Sequence, residues 1–388
     1  MITAPRMVCS VHMPSSALRS PQRACAPRFI ALSLFLALVL PACLRTARPL
    51  PPSAIPPPAP APSPGVSLPW LKGQLHAHTD NSGDSYTPAD SVVRWYATRG
   101  YDFVVLTDHN VVTRAESTPS TIAFSGVEIT QNYPTCVPPD DGLPCRIHVN
   151  ALFVHAEPGT VLGLLPPAAI PPDRLGRYLG AVDLARALHG IAQINHPNFA
   201  FSASRSVVRN VLLNGPVLLE IANQSGDVSN EGDASHPSTE ALWDALWTAG
   251  FQVWGTATDD AHDYDDAAKR QAAGHRVYVG NRGWVMVHAR RSPAEIEAAV
   301  ARGDFYSSTG VTLSTVEVAA SQLHVAVDPS ATGQFTIEFI GNGGRRLASA
   351  RGHEAWFTLG LPGITYVRAV VTDAAGHQAW TQPVRGTR

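Results

Sequence analysis

From residue 70 onward, short apolar runs alternate with stretches whose apolar positions recur every three or four residues. The first pattern reads as strand, the second as amphipathic helix. Strands are predicted over 75–78, 101–106, 122–129, 148–154, 191–194, 217–221 and 251–256. Helices are predicted over 88–99, 182–188, 202–213, 239–249 and 293–301, with Pro88 in a first turn and Gly100, Gly190 and Gly303 as stops. Alternating strand and helix imply parallel β-α units. The expectation is therefore an α/β fold, a distorted seven-stranded β/α barrel over 70–308. Past residue 308 the pattern changes to apolar-polar alternation over 322–328, 334–340 and 366–372, divided by glycine-rich turns at 341–344 and 373–376. Short strands without helix predict a small all-β, sandwich-like domain over 309–388 that packs against the barrel.

Residues able to bind metal cluster around these runs: His76, His78, Asp84, His109, Glu128, His148, His196, Asp260 and His262. Most follow the end of a strand, which is where β/α barrels gather their reactive groups. His148 departs from that rule by opening its run. His76 and His78 lie two apart on a strand and so face one side, and Asp260 with His262 repeat the spacing. Imidazole and carboxylate without thiolate suit zinc, manganese or iron. A lone histidine at a strand end is more often an ordinary polar residue, and His155, His189, His236, His275, His288, His324, His353 and His377 are read that way. Nearly all of the nine metal-binding candidates share a geometric end, which independent accidents would not produce. A site for more than one divalent ion is expected, and a carboxylate such as Glu128 can bridge two of them.

The amino terminus changes the picture of where the chain works. Arg19, Arg23 and Arg28 precede an apolar run over 29–40, then Pro41-Ala42-Cys43. The run is shorter than the ~20 residues a membrane span needs, so residues 1–42 are predicted to be an export signal of lipoprotein type. Cys43 would then be the lipid-bearing first mature residue, with plain cleavage nearby as the alternative. Residues 43–69 are dense in Pro and Ala and predict an extended spacer. An exported protein of the cell envelope is expected, touching membrane only through Cys43, and at the outer membrane in a Gram-negative cell. Without Arg6, Arg19, Arg23 and Arg28, 25 of the 29 Lys and Arg face 31 Asp and Glu. That acidic balance argues against nucleic acid as a partner and leaves a small-molecule substrate. Cys136 and Cys145 remain in a turn-rich excursion suited to a local disulfide, with a pair of thiolate ligands as the lesser alternative.

The run His76-Ala-His78-Thr79-Asp80-Asn81-Ser82-Gly83-Asp84, then Thr107-Asp108-His109, Glu128, His148, His196 and Asp260-Ala-His262, resembles the PHP (polymerase and histidinol phosphatase) domain in kind and order. The resemblance covers 70–308. Gly83 stands where an Asp often follows the Ser, so the match at Asp84 is displaced. The resemblance implies three ions: one on His76, His78, Glu128 and Asp260, one on Glu128, His148 and His196, and one on Asp84, His109 and His262. Asp108, Asn195, Glu220 and Asp259 would orient ligands or face substrate. Gly303-Asp-Phe-Tyr306-Ser, Tyr366-Val-Arg-Ala and Gly376-His-Gln-Ala-Trp380 resemble the exported branch related to carbaryl hydrolase. The expected function is a metal-dependent phosphoesterase on small phosphate mono- or diesters. Glu128 and Asp260 would be its catalytic carboxylates, with hydroxide held between the bridged ions as nucleophile. Alternatives are a carboxylic ester, amide or carbamate hydrolase on the same site, and a non-catalytic metal-containing surface binding protein. Arg205, Arg276 and Arg282 are available for phosphate, but nothing in the sequence puts any of them in the pocket.

Overall fold

The structure, a computed structural model, describes residues 68–139, 142–164, 173–319 and 321–386. The predicted export signal, Cys43 and nearly all of the Pro-rich spacer lie outside the described residues. Among the described residues no helix is long and apolar enough to cross a membrane.

The first half of the chain contains β1 (Trp70–Gln74), α1 (Ala89–Ala97), β2 (Phe103–Leu106), β3 (Val111–Val112), β4 (Ile122–Ser125), β5 (Val127–Tyr133), β6 (Cys145–Leu152), β7 (Gly159–Thr160), α2 (Arg174–Ala187) and β8 (Ile191–Ile194). There follow α3 (Arg205–Leu212), β9 (Leu218–Asn223), α4 (Thr239–Thr248), β10 (Trp254–Thr258), α5 (Ala267–Ala272), β11 (Trp284–His288), α6 (Pro293–Arg302) and β12 (Phe305–Ser308). Strands alone complete the described chain: β13 (Leu313–Ala319), β14 (Gln322–Val327), β15 (Phe335–Gly341), β16 (Arg345–Arg351), β17 (Glu354–Thr358), β18 (Tyr366–Asp373), β19 (Gln378–Thr381) and β20 (Val384–Arg385).

The seven-stranded β/α barrel expected from the sequence is not what forms. Strand outweighs helix, and no sheet closes on itself. One ten-stranded sheet runs β16-β15-β18-β19-β12-β11-β1-β2-β4, with β20 on β18. A five-stranded sheet runs β10-β9-β8-β6-β5. Two local causes prevent closure. The run 122–129, read from the sequence as one strand, breaks at Gly126 into β4 of the first sheet and β5 of the second. A Cβ at Gly126 would stand 2.8 Å from Val105 Cγ1 and 2.9 Å from the Leu106 carbonyl oxygen, so only glycine lets the chain cross this closely. At the other side, the edge of β1 that closure needs is taken by antiparallel β11, Leu71 facing Val287. What joins the sheets at that end is a pair of single bridges, Ala77 to Ala261 and His109 to Glu128.

The helices did mark parallel neighbours in places: β1 with β2, β8 with β9, and β9 with β10. They failed as a guide where β5 and β6 form an antiparallel hairpin and β6 runs antiparallel to β8. The strands past Ser308 are not a self-contained sandwich either. β15, β16, β18 and β19 extend the ten-stranded sheet through the β12–β19 pairing, while β13, β14 and β17 form a separate three-stranded sheet. Both layers bury a common set that includes Leu323, Val325, Ile337, Phe339 and Val371.

The two large sheets share a core in which Leu75, Phe103 and Val105 of the first meet Leu152 and Leu218 of the second. Each such side chain, fully buried, contributes about 1.5–3 kcal/mol. On its outer face the five-stranded sheet packs Val149, Ile194, Leu219 and Ile221 against Tyr178, Val208, Val211 and Leu242 of α2, α3 and α4. Serine caps start two of these helices. Ser204 accepts from the Val207 N–H and Ser238 from the Ala241 N–H.

Candidate metal centre

The nine sequence-selected residues converge at one mouth of the interface between the two sheets. His76 and His78 follow β1, Asp84 lies in the loop to α1, and His109 follows β2. Glu128 and His148 sit on β5 and β6, His196 follows β8, and Asp260 with His262 follow β10. His148 breaks the strand-end rule because β6 is antiparallel, which brings its first half level with the far ends of its neighbours. Glu128 lies deeper. It pairs with Asn150, which pairs with Gln193, three residues before His196.

Ligand atoms of four sets lie within 4.8 Å of one another: His78, Asp84, His109 and His262; His76, Glu128 and His196; His76, His78 and Asp260; His109, Glu128 and His148. These clusters could hold metal ions, the sets around Glu128 and Asp260 largely buried and the Asp84 set open at Asp84. Every set draws on both large sheets. The three-ion partition differs in detail, since His78 joins the Asp84 set and Glu128 meets His196 and His148 in separate sets. Asp260 Oδ1 stands 3.2 Å from His76 Nε2 and 3.1 Å from His78 Nε2. Glu128 Oε1 stands 3.0 Å from His148 Nδ1 and 3.4 Å from His196 Nε2. Asp84 Oδ2 lies 3.1 Å from His109 Nε2 and 3.4 Å from His262 Nε2.

Two buried atoms at the centre have no hydrogen-bond partner, His76 Nε2 and Glu128 Oε2. His109 Nδ1 comes within 2.7 Å of Glu128 Oε2, yet its hydrogen bond goes to Thr130 Oγ1. Buried polar atoms left unpaired cost about 1–3 kcal/mol each. Atoms of this kind, among imidazoles and carboxylates, are a donor set for divalent cations, so the residues fit the ions they imply.

The four residues expected to orient ligands or face substrate, Asp108, Asn195, Glu220 and Asp259, are all buried, and three of them contact the ligand residues or their loops. Glu220, fully buried on β9, holds His76 Nδ1 at 2.8 Å and accepts the His196 backbone N–H at 2.6 Å. That leaves His76 Nε2 as the outward donor. Asn223 donates to both Glu220 Oε2 at 2.9 Å and Asp260 Oδ2 at 3.1 Å. Asn195 donates to Glu128 Oε1 at 2.8 Å. Asp108 accepts from Thr79 Oγ1 at 2.7 Å and from Thr113, bracing the loop behind His78. Asp259 faces away from the ligands and accepts the backbone N–H groups of Asn281, Arg282 and Gly283. His196 and Asp260 take positive φ of 23° and 51°, a strained backbone found where a site fixes its ligands.

Burial opposes charge throughout, and the neighbours decide the outcome. His148, His109 and His76 hold Glu128 well below the ordinary carboxylate range despite its burial. Asp260 is likewise held far down by His76, His78 and His262. Burial lowers the tendency of His109 to charge, but Glu128 and Asp84 outweigh it and raise the imidazole to about 10. His78 goes the other way, since burial and neighbouring His262 push it down to about 3. Metal binding requires ionised carboxylates and neutral imidazoles, so an ion taking His109 would displace its proton.

A cleft of about 400 Å³ opens over the cluster, lined by Asp84, His109, His148, His196, Asp260 and His262, among others. Its walls include groups the sequence reading did not assign: Arg146, Arg270, Asn132, Phe199 and Tyr278. Arg276, one of the three arginines noted in the sequence, also lines it, whereas Arg205 and Arg282 do not. Arg146 shares the face of His148 because β6 begins at Cys145, whereas the strand read from the sequence begins at His148 and leaves Arg146 out. Cys136 and Cys145 form a disulfide that closes the excursion between β5 and β6, and no cluster includes them. No protein-family model matches this chain, and no curated protein matches it in sequence. The eight histidines set aside above are absent from the clusters; His155, His236 and His377 pair instead with Glu297, Asp233 and Asp373.

Proposed function

We propose that this protein is a metal-dependent hydrolase of small phosphate mono- or diesters. The observation that carries the reading is the set of nine convergent ligands around Glu128, with His76 Nε2 and Glu128 Oε2 buried and without a hydrogen-bond partner. The order of those ligands along the chain resembles the PHP family, and the proposal rests on the ligands, not on a barrel. Divalent ions bound here would supply Lewis acidity and lower the pKa of water.

The chain's own groups supply the rest. Glu128 offers one oxygen toward His148 and His196 and the other toward His109, and in this reading it would be shared between ions. Glu220 fixes His76 and His196 together, which keeps two ligands from different strands in register. Asp260 carries the proton removed from the attacking water at Oδ2, the oxygen steadied by Asn223. Arg276 places positive charge in the cleft wall, where a phosphoryl group would sit.

The test loads the full chain with Zn, Mn or Fe and follows nitrophenolate release from nitrophenyl phosphate, bis-nitrophenyl phosphate, and nitrophenyl carboxylate and carbamate esters. Chelator-sensitive turnover of the phosphates is expected, lost in Glu128→Ala and His196→Ala. Turnover confined to the carboxylate or carbamate esters would move the protein to that substrate class. No turnover by fully loaded protein would leave a metal-containing binding protein.

A further inference from the structure

We propose that Arg146 is the substrate-anchoring group of the cleft, and that with Phe199 it selects phosphate esters carrying an apolar or aromatic alcohol. This rests on the hydrolase reading above and names its substrate class. The hairpin β5–β6 presents a polar ladder on the cleft face: Glu128 opposite Asn150, Thr130 opposite His148, and Asn132 opposite Arg146. Alternate residues on a strand share a face, so each rung lies ~7 Å beyond the last. The ladder runs from the buried centre at Glu128 to the open rung at Arg146. Asn132 ties the last two rungs, its Oδ1 standing 3.0 Å from His148 Nε2.

The three arginines of the cleft are not equivalent. Arg270 is held by Asp263, Nε to Oδ1 at 2.5 Å. Arg276 donates to the Gly226 carbonyl. The guanidinium of Arg146 has no hydrogen-bond or ion-pair partner among the described residues, although it is half-buried and lines the cleft. A half-buried guanidinium with five unused donors, one rung from a ligand histidine, is built to receive an oxyanion in bidentate fashion. In the same cleft the Phe199 ring packs 5.6 Å from His148 and 5.2 Å from His196. The turn that carries this ring holds Ala200 and Phe201 at positive φ of 50°, with Phe201 stacked on His236 at 3.8 Å. Non-glycine residues keep such a backbone only where the surroundings enforce it, so the position of Phe199 is fixed by the fold. An anionic head at Arg146 and an apolar body on Phe199 describe the two halves of an aryl or alkyl phosphate.

The experiment uses the full metal-loaded chain, wild type against Arg146→Met, Arg146→Lys and Phe199→Ala. Inorganic phosphate binding is measured by calorimetry, and KM and kcat are measured for nitrophenyl phosphate and methyl phosphate. Loss of charged hydrogen bonds at Arg146 predicts phosphate affinity down roughly 10–100-fold in R146M, with metal content unchanged and partial recovery in R146K. KM for both esters should rise in R146M, whereas F199A should raise KM for the aryl ester alone. Equal phosphate affinity in wild type and R146M would overturn the Arg146 assignment while leaving the hydrolase reading intact. Phosphate binding that follows the prediction without turnover of any ester would overturn the hydrolase reading and keep Arg146 as an anion site. Failure of wild type to bind phosphate would overturn both.

Discussion

Replacing Asp244 by Ala should cost this protein about 3–4 kcal/mol, far more than an ordinary ion pair would. Asp244, on α4, is 3% exposed, and its partner Arg368, on β18, is 2% exposed. Asp244 Oδ1 accepts Arg368 Nε at 2.8 Å and the Tyr366 hydroxyl at 2.8 Å, and Oδ2 accepts a terminal guanidinium nitrogen at 2.7 Å. Removing the carboxylate strips three charge-assisted bonds and leaves a guanidinium in the core. Breaking a buried pair from one side costs about 3–5 kcal/mol, against 0–1 kcal/mol for a surface pair. Arg368 would keep Glu240 at 2.9 Å, which places the estimate in the lower part of that range. Guanidinium denaturation followed by tryptophan fluorescence reads the effect well, since Trp243 and Trp247 lie on the same helix. Asp244→Leu combined with Arg368→Met should be less destabilised than D244A, because neither charge is then stranded. A D244A variant within about 1 kcal/mol of wild type would refute the reasoning.

Other outcomes follow from the same kind of argument. Glu220→Gln should lower metal affinity about 10–100-fold while the protein stays folded, since it loosens His76 and His196 without removing a ligand. Competition with a chromophoric chelator measures it, and unchanged affinity would show that the two histidines hold themselves. Cys136→Ala with Cys145→Ala should cost about 2–3 kcal/mol in denaturant, the loop-closure entropy of so short a ring; no shift in midpoint would show the hairpin self-sufficient. Lys72 Nζ lies 4.0 Å over the Tyr101 ring and 2.8 Å from Asn281 Oδ1, and burial lowers its pKa to about 8 against the pull of Asp259. Between about pH 8 and 10.5 the unfolded chain keeps a proton that the folded chain has released, so the Lys72 contribution to stability rises with pH across that window. Lys72→Met removes that rise, so its stability relative to wild type should fall from pH 7.5 to 10; a constant difference in paired melts would contradict the shift.

The site was legible in the sequence to a degree the fold was not. Ligand chemistry is written in residue type. His76-Ala-His78 and Asp260-Ala-His262 announce a shared face whatever sheet they belong to. Sheet closure depends on which strand edges pair, and apolar runs carry no signal for that. The residues over 122–129 bury as a strand should, yet Gly126 divides them between two sheets. The run at 284–288 was not predicted as a strand, and β11 took the edge of β1 that a barrel requires. Arg146 went unread for a different reason. Its meaning lies in having no partner, which only the packed molecule reveals.

The split between the sheets has a mechanical consequence. Each of the four ligand sets spans the seam, whereas the backbone crosses it near the cluster through two isolated bridges. Ions seated there would act as rivets, and any ion that binds only the folded form adds its binding energy to the closure of the seam. Chelation should then loosen the molecule along one line. Amide exchange would quicken first at His78, Asn110, Glu128 and Asp260, whose N–H groups donate across the seam, while the pairing of β15 with β18 stays protected.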